Sequence, residues 1–374
     1  MVLSANSRSN PPFRVEHVGS FLRPKALYDH RALLNEGKAP PEDLRILEDQ
    51  AIRSVVDLQQ ELGIKGVTDG EMRREQFFDG IFERLEGLTF IPMRPVTEFK
   101  GKIKRTQPFY VEDFKFMKTL VAPEDVKDIK VGFPSPSWIH QRHGSDWTYD
   151  LNVYKSDDEY FEDVAAAYRE EIQELYDLGC RNIQIDDPTF TFFCWEPMLA
   201  GMREDGVNPD VLLDTYIQAV NLVTAGRPKD LHISVHMCRG NVKGMSFCEG
   251  SYGPIAEKVF NKLDVDTLYL EYDNEHSGDF EPLKHVPADK NIVLGLVTTK
   301  VAKLEDPEEL VKRVHEAATA MVSDHRSKED ALNQICISPQ CGFASVWEGN
   351  PITEEDERKK LAVLQQASKM IWSD

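Results

Sequence analysis

Cysteine is scarce in this chain: six residues in 374, widely scattered. No disulfide-framework spacing links them, which argues against a stapled secreted scaffold. A reducing cytosol, and hence a cytoplasmic protein, is the natural expectation. Long apolar runs are also missing, so no stretch reads as a membrane helix. The opening "MVLSANSRSNPPF" lacks the apolar core of a secretory signal, and residues 1–12 read as a short flexible leader. Positive charge is in short supply, with 44 Lys+Arg against 64 Asp+Glu and a net charge of −20. Such a surface repels phosphate backbones and has no attraction for anionic lipid, which argues against nucleic-acid and membrane partners. Neither GxGxxG nor GxxxxGK[ST] follows any expected strand, which counts against a doubly wound nucleotide-binding sheet. No short-period repeat or low-complexity segment is present.

What the chain does have is ordinary globular composition, 41% hydrophobic and 29% charged. That is enough for a sizeable core. Short apolar runs alternate with amphipathic helical patterns along nearly the whole length. The strands read as "RVEHVGSF", a short run ending at Glu71, "IKVGFPSPS", "RNIQIDDP", "LHISVHMC", "VDTLYLEY", "KNIVLGLVT" and "NQICISPQCGF". Helical spacing falls at about 42–62, in "REQFFDGIFERL", at 157–178 with Gly179 as its stop, at 209–223, in "YGPIAEKVFNKL", after Asp306–Pro307, and in "TEEDERKKLAVLQQASKMIW". Thr353 and Asp356 form an acidic capping box before that last helix.

Eight strand-then-helix units without a compositional linker predict an α/β fold, a (β/α)8 TIM barrel in one domain over 13–374. Residues from about Thr89 to Met117 break the rhythm. They read as a β-hairpin insertion after the second βα unit, with its turn at Gly101–Lys102. The basic run Lys100, Lys102, Lys104 and Arg105 lies there, against the acidic trend. Charge runs are usually solvated; contact with an anionic substrate tail is the sharper alternative.

In such a barrel catalytic groups gather at the C-terminal strand ends. Those ends carry Ser20, Glu71, Asp186, Asp187, His236, Cys238, Glu271, Asp273 and Cys341. His236 and Cys238 alternate on one strand, so both side chains point to the same side. Glu271 ends the next strand and Cys341 follows the eighth. One histidine, two cysteines and one carboxylate suit zinc. Alone, each has a bland reading: a satisfied core histidine, or a cysteine packed as a small hydrophobe. Cys180, Cys194, Cys248 and Cys336 lack such neighbours and are assigned to packing. His140 and His143 could form a second metal site, but no carboxylate follows closely and a surface loop is the plainer reading.

Zinc held by two thiolates, an imidazole and a carboxylate carries about one net negative charge by formal counting. That makes it a poor Lewis acid for water and a better holder of a further thiolate. Glu271 is the most displaceable ligand. The set therefore points to alkyl transfer onto a substrate thiol rather than to hydrolysis.

From about Phe13 onward the chain resembles the cobalamin-independent methionine synthase family, in its C-terminal catalytic barrel and single-barrel relatives. "HVGSFLRP", "VTDGEMRR", "IQIDDP", "HMC", "LEYD" and "PQCGF" fall in the family's order. The motifs are specific together and weak singly. The resemblance implies zinc on His236, Cys238, Glu271 and Cys341. It implies Ser20, Glu71 and Asp186 around the amino-acid end of a homocysteine-like thiol, with Asp186 also counted as catalytic. It further implies a methyl donor, 5-methyltetrahydrofolate or another; Trp138, by its place after the third strand, is a candidate to stack on a flat pterin ring. Asp186 also has a structural alternative, a helix cap before Pro188, and Trp138 has one in the core. The long synthases have a histidine after the seventh strand as proton donor. Lys300 stands near that place here, and as a lysine of lowered pKa it would be the catalytic acid. Two other readings stay open: a lyase of uroporphyrinogen-decarboxylase type or a thiol-dependent alkyl lyase, using Arg23, Arg73 and Arg74, and a non-catalytic barrel with structural zinc.

Overall fold

The computed structural model describes residues 8–91 and 96–372. Leu85–Ile91 (β1) and Val96–Arg105 (β2) pair antiparallel, apart from the main sheet. The main sheet is parallel and runs in chain order: Lys130–Pro134 (β3), Asn182–Asp187 (β4), His232–Met237 (β5), Thr267–Glu271 (β6), Asn291–Val297 (β7) and Ile335–Pro339 (β8).

The first two expected strands are not regular strands. Each is an extended segment joined to the sheet by a few backbone bonds. Glu16 N–H donates to Ile337 O and Ile337 N–H to Arg14 O, which ties the first segment to β8. Lys130 N–H donates to Val67 O, which ties the second segment to β3. Phe21 N–H donates to Gly70 O, and Thr68 Oγ1 donates to Gly19 O, so the two segments meet. The ring is thus closed, with the helices outside it.

Strand alternation explains where the core sits. On β4 and β5, Ile183, Ile185, Ile233 and Val235 belong to the large apolar cluster shared with the helices. The alternate residues face inward and are polar. His232 contacts Asn182 Oδ1 and Thr267 Oγ1, at 3.2 and 2.9 Å, across three strands. Lys130 pairs with Glu16 at 2.8 Å, both side chains 1% exposed. Lys130 also donates to the His17 carbonyl. Such pairs persist only when fully bonded, because burying a lone charge is costly. Tyr269, Val293 and Cys336 form a small separate apolar cluster.

The helices expected over 42–62, 157–178, 209–223 and after Asp306 are present, as Pro41–Glu61, Asp157–Asp177, Pro209–Thr224 and Pro307–Ala320. The Asp306 side chain accepts from Glu308 N–H, and Thr353 and Asp356 cap each other reciprocally. "REQFFDGIFERL" is not an α-helix. It is a run of turns ending in a short 3-10 segment, Phe82–Arg84. The hairpin's turn is also displaced. Gly101 and Lys102 lie inside β2, and the connection, residues 92–95, lies outside the described residues. Val111–Met117, expected to be extended, is helical. Lys25–Asn35 and Glu196–Glu204 are helices that the spacing did not indicate. Among the described residues no helix is long and apolar enough to cross a membrane.

Candidate metal centre and substrate cavity

His236 and Cys238 leave β5 on the same side, and Cys238 N–H still bonds Asp187 O. Glu271 is the last residue of β6, and Cys341 lies two residues past β8. One ligating atom from each comes within 4.8 Å of every other, and the cluster is the one such group among the described residues. The two sulfurs are 3.6 Å apart. His236 Nε2 lies 3.7 Å from Glu271 Oε1 and 3.0 Å from the Gln340 carbonyl.

Cys341 is placed by a close approach. At Gly295 the register of β7 against β8 shifts, and a Cβ there would lie 2.5 Å from the Gln340 Cα. Only glycine lets the chain carrying Gln340 and Cys341 come in. Asn241 Nδ2 then donates to the Gly342 carbonyl at 2.8 Å, and Thr299 N–H donates to Gln340 Oε1 at 2.6 Å.

The electrostatics suit a cation. Glu271 is fully buried, and its Oε2 has no hydrogen-bond partner. An ionised oxygen so placed is costly without a countercharge. Burial works to raise the Glu271 pKa, yet His236 and Lys300 hold it below the usual carboxylate range. Of the thiol pair, Cys341 is lowered by its contact with Cys238, and Cys238 is raised in turn. Asp186 Oδ1 accepts from His236 Nδ1 at 2.9 Å, fixing the ring with Nε2 toward the cluster. A carboxylate behind a metal-binding histidine commonly does this.

Beside the cluster opens a cavity of about 480 Å3. Ser20, Glu71, Asp186, Trp138, His236, Cys238 and Cys341 all line it, so the structure brings most of the expected site residues together. Glu71 is buried, with a left-handed φ of +56°, and its Oε2 lacks a partner. Burial first, then the charges of Asp186 and Asp69, push its pKa up to about 8 despite Arg74 and Arg23. Strained, buried carboxyls of this kind cluster at functional sites. The cap before Pro188 is made by Asp187, which accepts from Thr189 and Phe190 N–H, leaving Asp186 free for the cavity.

Lys300 is not among the lining residues. Its ammonium donates to Ser246 Oγ. Burial works to lower its pKa, but Glu271 and Asp273 raise it above the usual value, opposite to the expected direction. His140 is a buried core residue bonded to Tyr216 and Asp157; the side chain of His143 lies outside the described residues. Cys180, Cys194, Cys248 and Cys336 are buried. Arg23 bonds the Ala344, Val346 and Glu71 carbonyls, Arg73 pairs with Asp49 and Asp113, and Arg74 bonds the Gly132 carbonyl. None of the three lines the cavity, as a porphyrinogen site would need. In the basic run, Arg105 pairs with Glu171 and Glu174, and Lys102 with Asp163; the Lys100 side chain lies outside the described residues.

Residues 145–362 match the family model for the cobalamin-independent synthase catalytic domain. The chain belongs to the cobalamin-independent methionine synthase family. Among relatives of this family, the uncharacterized YxjH of Bacillus subtilis is 36% identical, over 96% of this chain and 95% of its own. A methionine synthase of Sulfolobus acidocaldarius is 27% identical, over 87% of this chain and 84% of its own. The crystal structure of a putative vitamin-B12-independent methionine synthase from Listeria monocytogenes superposes with a TM-score of 0.78 at 32% identity, covering 98% of this chain and all of that one.

Sequence reasoning passed over several residues of this family member's cavity: Gln76, Phe77, Phe78, Phe192, Asn241 and Phe247. Phe77 and Phe78 were legible as a pair following a strand end. Reading "REQFFDGIFERL" as a helix hid them.

Proposed function

We propose that the protein transfers a methyl group onto a substrate thiol, homocysteine or a close analogue, with zinc held by His236, Cys238, Glu271 and Cys341. The observation that carries this reading is the buried carboxylate of Glu271, its Oε2 without a hydrogen-bond partner, clustered with two thiols and an imidazole. The donor set fits zinc in kind and number. Bound there, zinc would lower the pKa of a substrate thiol and offer a nucleophilic thiolate at neutral pH.

The chain's own residues supply the rest. Asp186 orients His236, and with Glu71 and Ser20 it meets the amino-acid end of the acceptor. An α-ammonium prefers carboxylates, and an α-carboxylate prefers hydroxyl and backbone donors. The ammonium would draw Glu71 into its ionised form, so binding of the acceptor releases a proton from that carboxyl near neutral pH. The rings of Trp138, Phe77 and Phe78 pack as one wall, with centroids 5.1 and 5.8 Å from Trp138. That wall excludes water from the reacting sulfur.

Cys341→Ser tests this reading. The variant should fold, lose zinc and lose thiol methylation together. Activity that survives in a folded, zinc-free Cys341→Ser protein would overturn it.

A further inference from the structure

Arg239 directly follows the Cys238 ligand and is only 3% exposed. None of its three guanidinium nitrogens has a hydrogen-bond partner among the described residues, and it does not line the cavity. The guanidinium lies over the Tyr252 ring, 4.4 Å from the centroid. A ring face offsets part of the cost of burying a cation, and only part. A negative charge is needed close by.

The backbone leads to the metal cluster. Arg239 N–H donates to Glu271 Oε1 at 3.1 Å, and the next amide, Gly240 N–H, donates to Cys238 Sγ at 3.2 Å. The Tyr252 hydroxyl accepts from Glu271 N–H at 2.9 Å and donates to the Met237 carbonyl at 3.3 Å. The ring under the guanidinium is therefore anchored to both β5 and β6. Charge leads to the same place. The groups facing Arg239 are Tyr252 and Glu271, then Cys194 and Cys248, with Tyr272 beside them. Burial pushes the Cys194 thiol up to about 12 and raises Cys248, Tyr252 and Tyr272 above their ordinary values, so these four stay neutral. Glu271, a member of the cluster, is the one held in its charged form. Lys300 also faces Glu271, but it shares its charge with Asp273 and bonds Ser246 Oγ.

A substrate thiolate enlarges the demand for positive charge. By formal counting the zinc centre carries about one negative charge, and a third thiolate brings it to about two. The exchange balances simply. The acceptor sulfur gives a lone pair to the metal, Glu271 yields its place, and the thiol proton passes to the buffer. The added charge arrives in a buried site, where it is costly unless countered.

We propose that Arg239 is the built-in counter-charge of this centre and makes it prefer an anionic sulfur over a neutral one. This rests on the thiol activation proposed above and names the residue that sets its preference for thiolate. Arg239 is a positioning residue, acting through the charge of the cluster rather than by touching substrate.

The test compares two ligands with the same amino-acid end. Homocysteine brings a thiolate to the metal, and methionine brings a neutral thioether. Both are titrated by calorimetry, at one pH and under reducing conditions, into zinc-loaded full-length protein. In Arg239→Met the affinity for homocysteine should fall roughly ten-fold or more, and that for methionine by about two-fold at most, because only the first ligand adds a charge. Arg239→Lys, which keeps the positive charge, should keep the native ratio of the two affinities. Arg239→Gln is the second neutral variant should Arg239→Met not fold. Equal losses for both ligands, as a merely structural role would give, or no loss for either, would overturn the proposal. Zinc-edge spectra of the native protein separate the two readings. Sulfur gained from homocysteine, with the ratio unchanged in Arg239→Met, sinks the counter-charge alone, whereas no sulfur gained sinks thiol activation itself.

Discussion

Glu71 shows how much a single position can carry. Its carboxyl is buried, strained and raised to about 8. The folded state therefore holds this proton more tightly than the unfolded chain, whose glutamate titrates near 4.5. Below that value the proton is bound in both states and nothing is lost. As pH rises from about 4.5 toward 8 the unfolded chain releases it first, so Glu71 lowers stability across that window. Glu71→Gln should gain stability over the native protein on going from pH 5 to pH 8, by at most about 1.4 kcal/mol per pH unit. Denaturant titrations at the two pH values measure it; a constant difference would contradict the burial argument. The zinc-set residues were legible in the sequence because strand alternation and strand ends dictate where they point. What Asp186 does to His236 was not, because it depends on β4 and β5 pairing with Asp186 opposite His236. The proton state of Lys300 was equally out of reach, since it is set by Glu271 and Asp273 across the fold.

At the scale of elements, six of the eight expected barrel strands are regular strands, and their order follows the chain. Their apolar runs are buried on both sides, which leaves a strong pattern. The first two segments carry Glu16, His17, Ser20 and Glu71 and hold the sheet through scattered bonds, so their pattern reads as strand while their geometry is irregular. The loop after β8 shows how tightly such segments mesh. A Cβ on Gly342 would lie 2.0 Å from Ser20 Oγ. Gly342→Ala should displace Ser20 or Cys341 and lower thiol methylation by about a hundred-fold, the scale of a 1 Å misplacement at a reacting centre. Steady-state kinetics would show it, and unchanged kcat/KM would refute the close approach. The cap of the final helix has no part in the site. Thr353→Ala should cost about 1 kcal/mol of stability, seen in chemical denaturation, with activity intact.

Across the whole molecule, the cluster joins β5, β6 and the chain after β8, elements far apart in sequence. A metal there is bound by the folded state and not by the unfolded chain, so it stabilises the fold by mass action. Chelation should lower the melting temperature, and zinc should restore it; in Cys341→Ser neither should have an effect. The acidic surface was plain from composition. The aromatic wall of the cavity was not, because its rings come from four separate loops. The central claim is that this cluster holds zinc and hands a place to a substrate thiol. The zinc-edge X-ray absorption spectrum, with and without homocysteine, tests it most directly. Mixed sulfur and nitrogen/oxygen ligation that gains one sulfur on addition is the predicted result. A reduced, chelator-free protein that retains no zinc, or whose spectrum is unchanged by homocysteine and other thiols, would contradict it.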